Sequence, residues 1–335
     1  MTLYLAKRLI LAGFTLLAIL FLSYLLLRLA PGDPTRSNFL AGEGAGVSSS
    51  EKAELARNEA LRAKLGLDEP ILRGFAKWLA KIIRHGDFGA SATVEPGRPV
   101  TAMILERLPV TVSLNLLAIL LTLAIAIPAG VAGAVRPDCW FDRGSTVLMF
   151  LLYSLPVMWV GLVLQALFCA GGKWPLFPLK GLAPFRGELS TWEALAETLY
   201  YDTLPVIALA YAGLAGLARY TRSGMLEVLH SDYIRTARAK GVPEYAVIWG
   251  HAFRNTLITL ITLFAGLLPG LAAGSIIVEH IFNIPGMGTL SLLALSSRDY
   301  PLQMALFAFT GALTLFGLLL ADLCYTWADP RVRLR

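Results

Sequence analysis

Leu108-Pro-Val-Thr-Val-Ser-Leu-Asn-Leu-Leu-Ala-Ile-Leu-Leu-Thr-Leu-Ala-Ile-Ala-Ile-Pro128-Ala-Gly-Val-Ala-Gly-Ala-Val135 carries no charged side chain and is bounded at once by Arg107 and Arg136. About 20 apolar residues in a helix cross the hydrocarbon layer of a bilayer, and this run is longer. It reads as a transmembrane helix. Working outward, residues 9–27 give one such run before it, and residues 144–172, 203–218, 255–278 and 300–321 give four after it. Residues 203–218 form the shortest; they need a turn borrowed at each end, with Arg219 reaching back to the surface. Pro128 and Pro156 fall inside spans two and three, where neighbouring helices can satisfy a freed carbonyl. The expected fold is an all-α integral membrane protein with six transmembrane helices.

Composition agrees. The chain is 56% hydrophobic and 16% charged, where a soluble protein has about 25% charged residues. The net charge of +6 sits beside apolar runs, so it orients the chain in a membrane and calls for no nucleic acid. With the N-terminus inside, the inner segments carry Lys7, Arg8, Arg136, Arg143, the basic residues of 219–254, and Arg331, Arg333 and Arg335. The short outer loops carry only Lys173, Lys180, Arg186 and Arg298. The long loop 28–107 crosses largely regardless of its charge. Both termini are therefore expected inside, with the chain multi-pass in a membrane. The first run is too long for a signal-peptide core, and Arg28-Leu29-Ala30-Pro31 is a poor cleavage site.

The long outer loop has its own helical signals. Ser48 and Glu51 have capping-box spacing ahead of a polar helix over about residues 51–65. A second helix starts near Pro70, carries Ile71, Phe75, Trp78, Leu79 and Ile82 on one face, and stops at Gly86. Phe75, Trp78 and Ile82 are expected to pack on the outer mouth; the plainer alternative is a small external cap without a ligand role.

Several chemistries are missing. Arg28, Glu279 and Asp322 stand at span ends, and no Asp, Glu or His stands mid-span, which argues against ion-driven secondary transport. Sodium sites built from carbonyls stay open. No lysine is followed by Ser or Thr, so there is no phosphate-binding loop, and any ATP chemistry belongs to another chain. His85, His230, His251 and His280 lack partners at metal-ligand spacing, as do Cys139, Cys169 and Cys324, and no Gly-x-Ser-x-Gly occurs. No catalytic, cofactor or metal residue is assigned, and the chain is not expected to be an enzyme.

Between spans four and five lies Arg219-Tyr-Thr-Arg-Ser-Gly-Met-Leu-Glu-Val-Leu-His-Ser-Asp-Tyr-Ile-Arg-Thr-Ala-Arg-Ala-Lys-Gly241-Val-Pro243. Residues 231–240 suit a helix, Gly241 stops it, and a second helical run over 244–255 leads into span five. A short helix held along the membrane suits docking to a soluble partner whose motion it converts into span motion.

Asp232-Tyr-Ile-Arg-Thr-Ala-Arg-Ala-Lys-Gly241 resembles the coupling loop of binding-protein-dependent ABC importer permeases, closest to the oligopeptide/dipeptide/nickel group. The resemblance runs nearly end to end. Pro31-Gly-Asp-Pro34, Gly86-Asp-Phe-Gly-Ala-Ser91, Gly97-Arg-Pro-Val100 and Glu106-Arg-Leu-Pro-Val-Thr111 are similar to that group in order. So are His251-Ala-Phe-Arg-Asn255, Phe282-Asn-Ile-Pro-Gly-Met-Gly288 and Asp329-Pro-Arg-Val-Arg333. Thr259 departs from the family's usual proline, and the outer run 174–199 is longer and more polar than expected.

The resemblance implies a type I ABC importer permease fold, with a first span over 1–30, a periplasmic loop region over 31–107, a five-span core over 108–325 and a cytoplasmic tail over 326–335. It implies a second permease subunit, a different chain, and two ATP-binding subunits. A periplasmic solute-binding protein supplies the solute, with peptides as the leading cargo and nickel chelates, glutathione and oligosaccharides as alternatives. The coupling contact falls on Thr236, Ala237, Lys240 and Gly241, with charge contacts from Asp232, Arg235 and Arg238; a solvated face is the plain alternative for those charges. Asn283, Pro285, Gly286 and Gly288 are expected at the outer mouth as gate or scaffold. Gly266, Gly270, Ala272, Ala273 and Gly274 allow close helix packing or line the pore. A self-contained carrier or channel, and a membrane enzyme, are the competing classes.

Overall fold

The computed structural model describes residues 2–29, 69–179, 191–271 and 274–328. Their regular elements are all helices, with no β-strand among the described residues. The chain falls into two compact units, Met1–Arg107 with Leu290–Leu315 and Leu108–Thr289 with Phe316–Arg335. The expected helix over 51–65, the Pro31–Pro34 stretch, the Asp329–Arg333 stretch, Ala272 and Ala273 lie outside the described residues.

The first unit contains α1 (Thr2–Leu29), α2 (Ile71–His85) and the first part of α3 (Val100–Val135). Helix α2 ends as its sequence predicts: Gly86 takes φ 61° and its N–H bonds to the Ile82 carbonyl at 2.8 Å. Its apolar face packs on α1. Phe75 is 8% exposed, with the rings of Phe21 and Tyr24 at 5.3 and 5.7 Å. Phe75 and Trp78 thus anchor the helix to the first span.

The segment after α2 is fixed by one carboxylate. Asp299, fully buried, accepts on Oδ2 from the Ser91 hydroxyl and from the backbone N–H of Ala92, Thr93 and Val94 at 3.0, 3.0 and 3.2 Å. Its Oδ1 accepts from the Leu302 N–H at 3.2 Å, capping α11 (Tyr300–Ala328). Burial pushes this carboxyl up, but the hydrogen bonds from Ser91, Thr93, Val94 and Leu302 outweigh it and hold the group below its ordinary range. Its stabilisation is therefore present above the ordinary carboxylate range and is lost as pH falls through the depressed folded value. Asp299→Asn is expected to cost about 2 kcal/mol at neutral pH. Thermal melts of the purified protein across an acid titration should show the gap to wild type closing as the pH drops.

In the second unit follow α4 (Trp140–Ser154), α5 (Val157–Phe168), α6 (Thr191–Leu229) and α7 (Asp232–Ala239). A π-helical stretch, Ala246–Phe253, then leads into α8 (Arg254–Leu267), a 3-10 turn Leu268–Leu271, α9 (Ile276–Ile281) and the first residues of α10 (Met287–Ser296), which passes into the first unit at Leu290. The cores of α3, α5, α6 and α9 meet around Leu114, Leu204, Val278 and Phe282.

Among the described residues, four helices are long and apolar enough to cross a membrane: α1, α3, α6 and α11. Two expected spans are not continuous helices. The third is a pair, α4 and α5, bent by 99° and together long and apolar enough for one broken span. Leu155, preceding a proline, is extended at φ −82° and ψ 133°, and Pro156 brings no N–H. The Tyr211 hydroxyl donates to the Leu155 carbonyl at 2.9 Å and satisfies the broken ladder. The fifth is likewise not one helix. It yields to the Leu268–Leu271 turn, where Pro269 cannot donate, and Gly274 follows at φ 75° before α9 begins. By contrast Pro128 and Pro205 sit within unbroken α3 and α6. The fourth span extends well beyond a borrowed turn, since α6 runs to Leu229 and leaves Arg219 exposed on its surface.

Candidate coupling helix and buried-glutamate turn

Helix α7 forms where the sequence places it, eight residues from Asp232 to Ala239. One side chain anchors it. Ile234 is 0% exposed and packs among Met225 and Leu229 of α6, Val131 and Ala134 of α3, and Val247 and Ala252 of the π-helical stretch. The exit is a Schellman ending. The Val242 N–H bonds to the Ala237 carbonyl at 3.3 Å and the Gly241 N–H to the Arg238 carbonyl at 3.0 Å, with Gly241 at φ 74°.

Asp232, Arg235, Thr236, Arg238, Lys240 and Gly241 are exposed together on this short segment. Ala237 departs from them and turns toward the apolar cluster under the helix. The charges are partly paired within the loop. Arg235 Nη1 lies 3.3 Å from Asp232 Oδ1, and Arg238 forks onto Glu244 at 2.7 and 3.2 Å. Those bonds from Arg238 hold the Glu244 carboxyl below its ordinary range. Glu244, unnamed by sequence reasoning, fixes the direction of one expected coupling charge.

Gly286 and Gly288 converge on Glu279, which is 2% exposed. Glu279 Oε1 accepts from the Thr111 hydroxyl at 3.0 Å, and Oε2 from the Thr289 N–H at 2.9 Å in the first turn of α10. The Thr111 oxygen accepts in turn from the Met287 N–H at 2.8 Å. A Cβ on Gly286 would stand 2.5 Å from the Glu279 carboxyl carbon, and one on Gly288 2.7 Å from the Ile276 nitrogen. Both glycines are required by close approach. Burial raises the Glu279 carboxyl, with the hydrogen bonds from Thr289, Thr111, Gly288 and Ser275 pulling the other way. Asn283, at φ 52°, and Pro285 belong to the same turn, and Asn283 is exposed. In the sequence Glu279 reads only as a span-end charge. The available signal was a lone carboxylate shortly before Gly-x-Gly and a helix start, where a helix N-terminus favours negative charge.

A cleft of about 380 Å³ opens between α3, α6 and the break after α8. Its polar lining is Asn115, Thr122 and Tyr220, with Gly213, Gly216 and Gly270 giving it room. Asn115 Nδ2 donates to the Leu271 carbonyl at 2.8 Å, satisfying backbone that the helix break frees. No Asp, Glu, Lys, Arg or His stands among the described residues of the lining. No group of three or more His, Cys, Asp or Glu side chains among the described residues is placed to hold a metal ion.

Comparison with known proteins matches residues 126–334 to the family described as binding-protein-dependent transport system inner membrane component, and residues 1–115 to its N-terminal counterpart. The chain is 38% identical over 332 residues to an oligopeptide transport system permease protein of Bacillus subtilis (strain 168), covering 99% of both chains. It is 39% identical over 333 residues to a putative peptide transport system permease protein of Brucella abortus (strain 2308), again covering 99% of both. A peptidoglycan transport system permease protein of Agrobacterium fabrum is 31% identical, covering 98% of this chain and 97% of that one.

Proposed function

From a chain that belongs to the family of binding-protein-dependent transport system inner membrane components, we infer that it is the permease subunit of an ATP-driven importer that takes up peptides. The observation that carries this is α7, a short helix with one buried anchor and an exposed polar face between two membrane-crossing regions. Such a helix lodges in a groove of a soluble subunit and moves with it. The chain itself hydrolyses no ATP. Of two ATP-binding subunits, one engages the α7 face of this chain through Thr236, Lys240 and Gly241, with Asp232 and Arg235 at its edge. A second, different permease subunit completes the pore, and a periplasmic binding protein delivers the solute. Both termini face the cytoplasm of a bacterial inner membrane.

ATP binding closes the ATPases, draws α7 inward and turns the pore outward. The uncharged cleft between α3 and α6 forms part of the solute path. With no fixed charge among its described lining residues, it lets cationic and anionic peptides pass alike, leaving selection to the binding protein. The Glu279-centred turn acts as a scaffold at the outer mouth, because its glycines are filled by packing and leave no free volume for a gate. One relative is named for peptidoglycan transport, which keeps a second cargo in view for the same importer.

The test is reconstitution with the neighbouring permease and ATPases in proteoliposomes. ATP-dependent uptake of a labelled peptide pool that requires the binding protein is the expected result. Uptake that persists without ATP would mean a carrier or channel. Stimulated ATP hydrolysis with no peptide uptake would keep the importer and remove the peptide.

A further inference from the structure

Helix α4 has one buried residue, and it is a charged one. Asp142 has a side chain 4% exposed in the first turn of α4, while Trp140, Phe141, Val147, Leu148 and Phe150 of the same helix face outward. Arg222 of α6 forks onto it, with Nε at 2.6 Å from Oδ1 and Nη2 at 2.7 Å from Oδ2. Oδ2 also accepts the Asp138 N–H at 2.9 Å, so one carboxylate gathers α6 and the turn between α3 and α4.

Helix α3 closes over this pair. A Cβ on Gly133 would stand 2.6 Å from Asp142 Oδ1, and one on Gly130 2.6 Å from the Ala218 carbonyl of α6. Arg222 lies one helical turn before Met225, which is 0% exposed beneath the Ile234 anchor of α7. Side chains three or four apart share one helix face. The fork and the anchor therefore load the same end of α6.

We propose that Arg222 and Asp142 are positioning residues that make α4 follow the coupling helix, so that displacement of α7 passes through the end of α6 into α4. The proposal rests on the permease function above. An apolar contact slides; a two-bond guanidinium–carboxylate fork fixes both distance and orientation, and suits a joint that must carry motion in one direction. Coupling across a structure travels through elements that move as rigid pieces, and Asp142 is the one fully buried side chain of α4, with Met149 half-buried against α6 beside it. Sequence reasoning counted Arg222 among the orienting charges and did not single out Asp142, because its partner lies far along the chain.

The experiment is uptake per ATP hydrolysed in proteoliposomes holding the complete complex with its binding protein, for wild type, Asp142→Asn, Arg222→Gln and Arg222→Lys. Asp142→Asn and Arg222→Gln are expected to lower uptake per ATP about tenfold, while binding-protein-stimulated hydrolysis stays within about twofold. Arg222→Lys keeps the charge and loses the fork, and is expected to lower the ratio about threefold. A merely structural pair would lower the amount of assembled complex and leave uptake per ATP unchanged in what assembles; that outcome overturns the proposal. If Asp142→Asn and Arg222→Gln do not assemble, Arg222→Lys decides, an unchanged ratio counting against the joint. A wild-type complex without ATP-dependent uptake would instead overturn the permease function itself.

Discussion

Gly241→Asp abolishes uptake and leaves little ATPase bound to the membrane complex. Gly241 sits at φ 74° in the Schellman ending of α7, where a residue with a Cβ costs about 1–2 kcal/mol. Nothing lies within 4 Å of a Cβ built there, so the requirement for glycine within this chain is conformational and not steric. That separates three substitutions. Gly241→Asn tolerates the left-handed backbone and keeps most uptake. Gly241→Ala strains the ending by about 1 kcal/mol and lowers uptake severalfold. Gly241→Asp adds strain, places negative charge at the C-terminal end of a helix, and presents it on the docking face. Copurification of the ATPase subunits and labelled-peptide uptake measure the series. Wild-type uptake in Gly241→Asp would remove this segment from the coupling contact. A loss in Gly241→Asn as deep as that in Gly241→Asp would show that the partner's surface, and not the backbone, demands glycine.

Gly286→Val gives no functional complex, and Glu279→Ala gives a destabilised one. The valine would drive side-chain carbon into space already held by the Glu279 carboxyl and the Thr111 hydroxyl, 2.5 and 2.6 Å from a Cβ on Gly286. Removing the carboxyl leaves the buried Thr111 hydroxyl and the Thr289 N–H short of an acceptor, at about 3 kcal/mol for the set. Glu279→Gln keeps one acceptor and is the milder change. Thermal melts of the purified complex order the three. The pH dependence has the opposite sign to that of Asp299. The folded Glu279 carboxyl lies above its ordinary range because burial disfavours the charge. Its ionisation penalty is absent below the ordinary range and enters as pH rises through the folded value. Glu279→Gln should therefore narrow the loss of stability between mildly acid and neutral pH, whereas Asp299→Asn removes a stabilisation that exists only above the acid range. Melting temperatures that move in parallel with wild type across that window would show that Glu279 does not titrate there.

The helical membrane class was fixed by composition and uninterrupted apolar runs, because lipid leaves the backbone no partner outside a helix. Helix α2 and helix α7 were equally legible. Each has a local start, a periodic apolar side and a glycine stop, and such signals act within a few residues. The coupling-loop likeness of 232–241, together with the ordered series of further motifs from Pro31–Pro34 to Asp329–Arg333, carried the family, which the matches over 126–334 and 1–115 then established.

What the sequence left undecided is whatever depends on partners far along the chain. Pro156 breaks a span and Pro128 does not, and no local signal separates them; Tyr211, on another helix, supports the first break. The carboxylates Asp142, Glu279 and Asp299 look alike in sequence, each an acid beside an apolar run. Only tertiary structure assigns them to Arg222, to the Gly286–Gly288 turn with Thr111, and to the Ser91–Val94 segment. The physical reason is that apolar burial along a helix is set by local periodicity, whereas a buried charge is tolerated only where the fold brings donors to it.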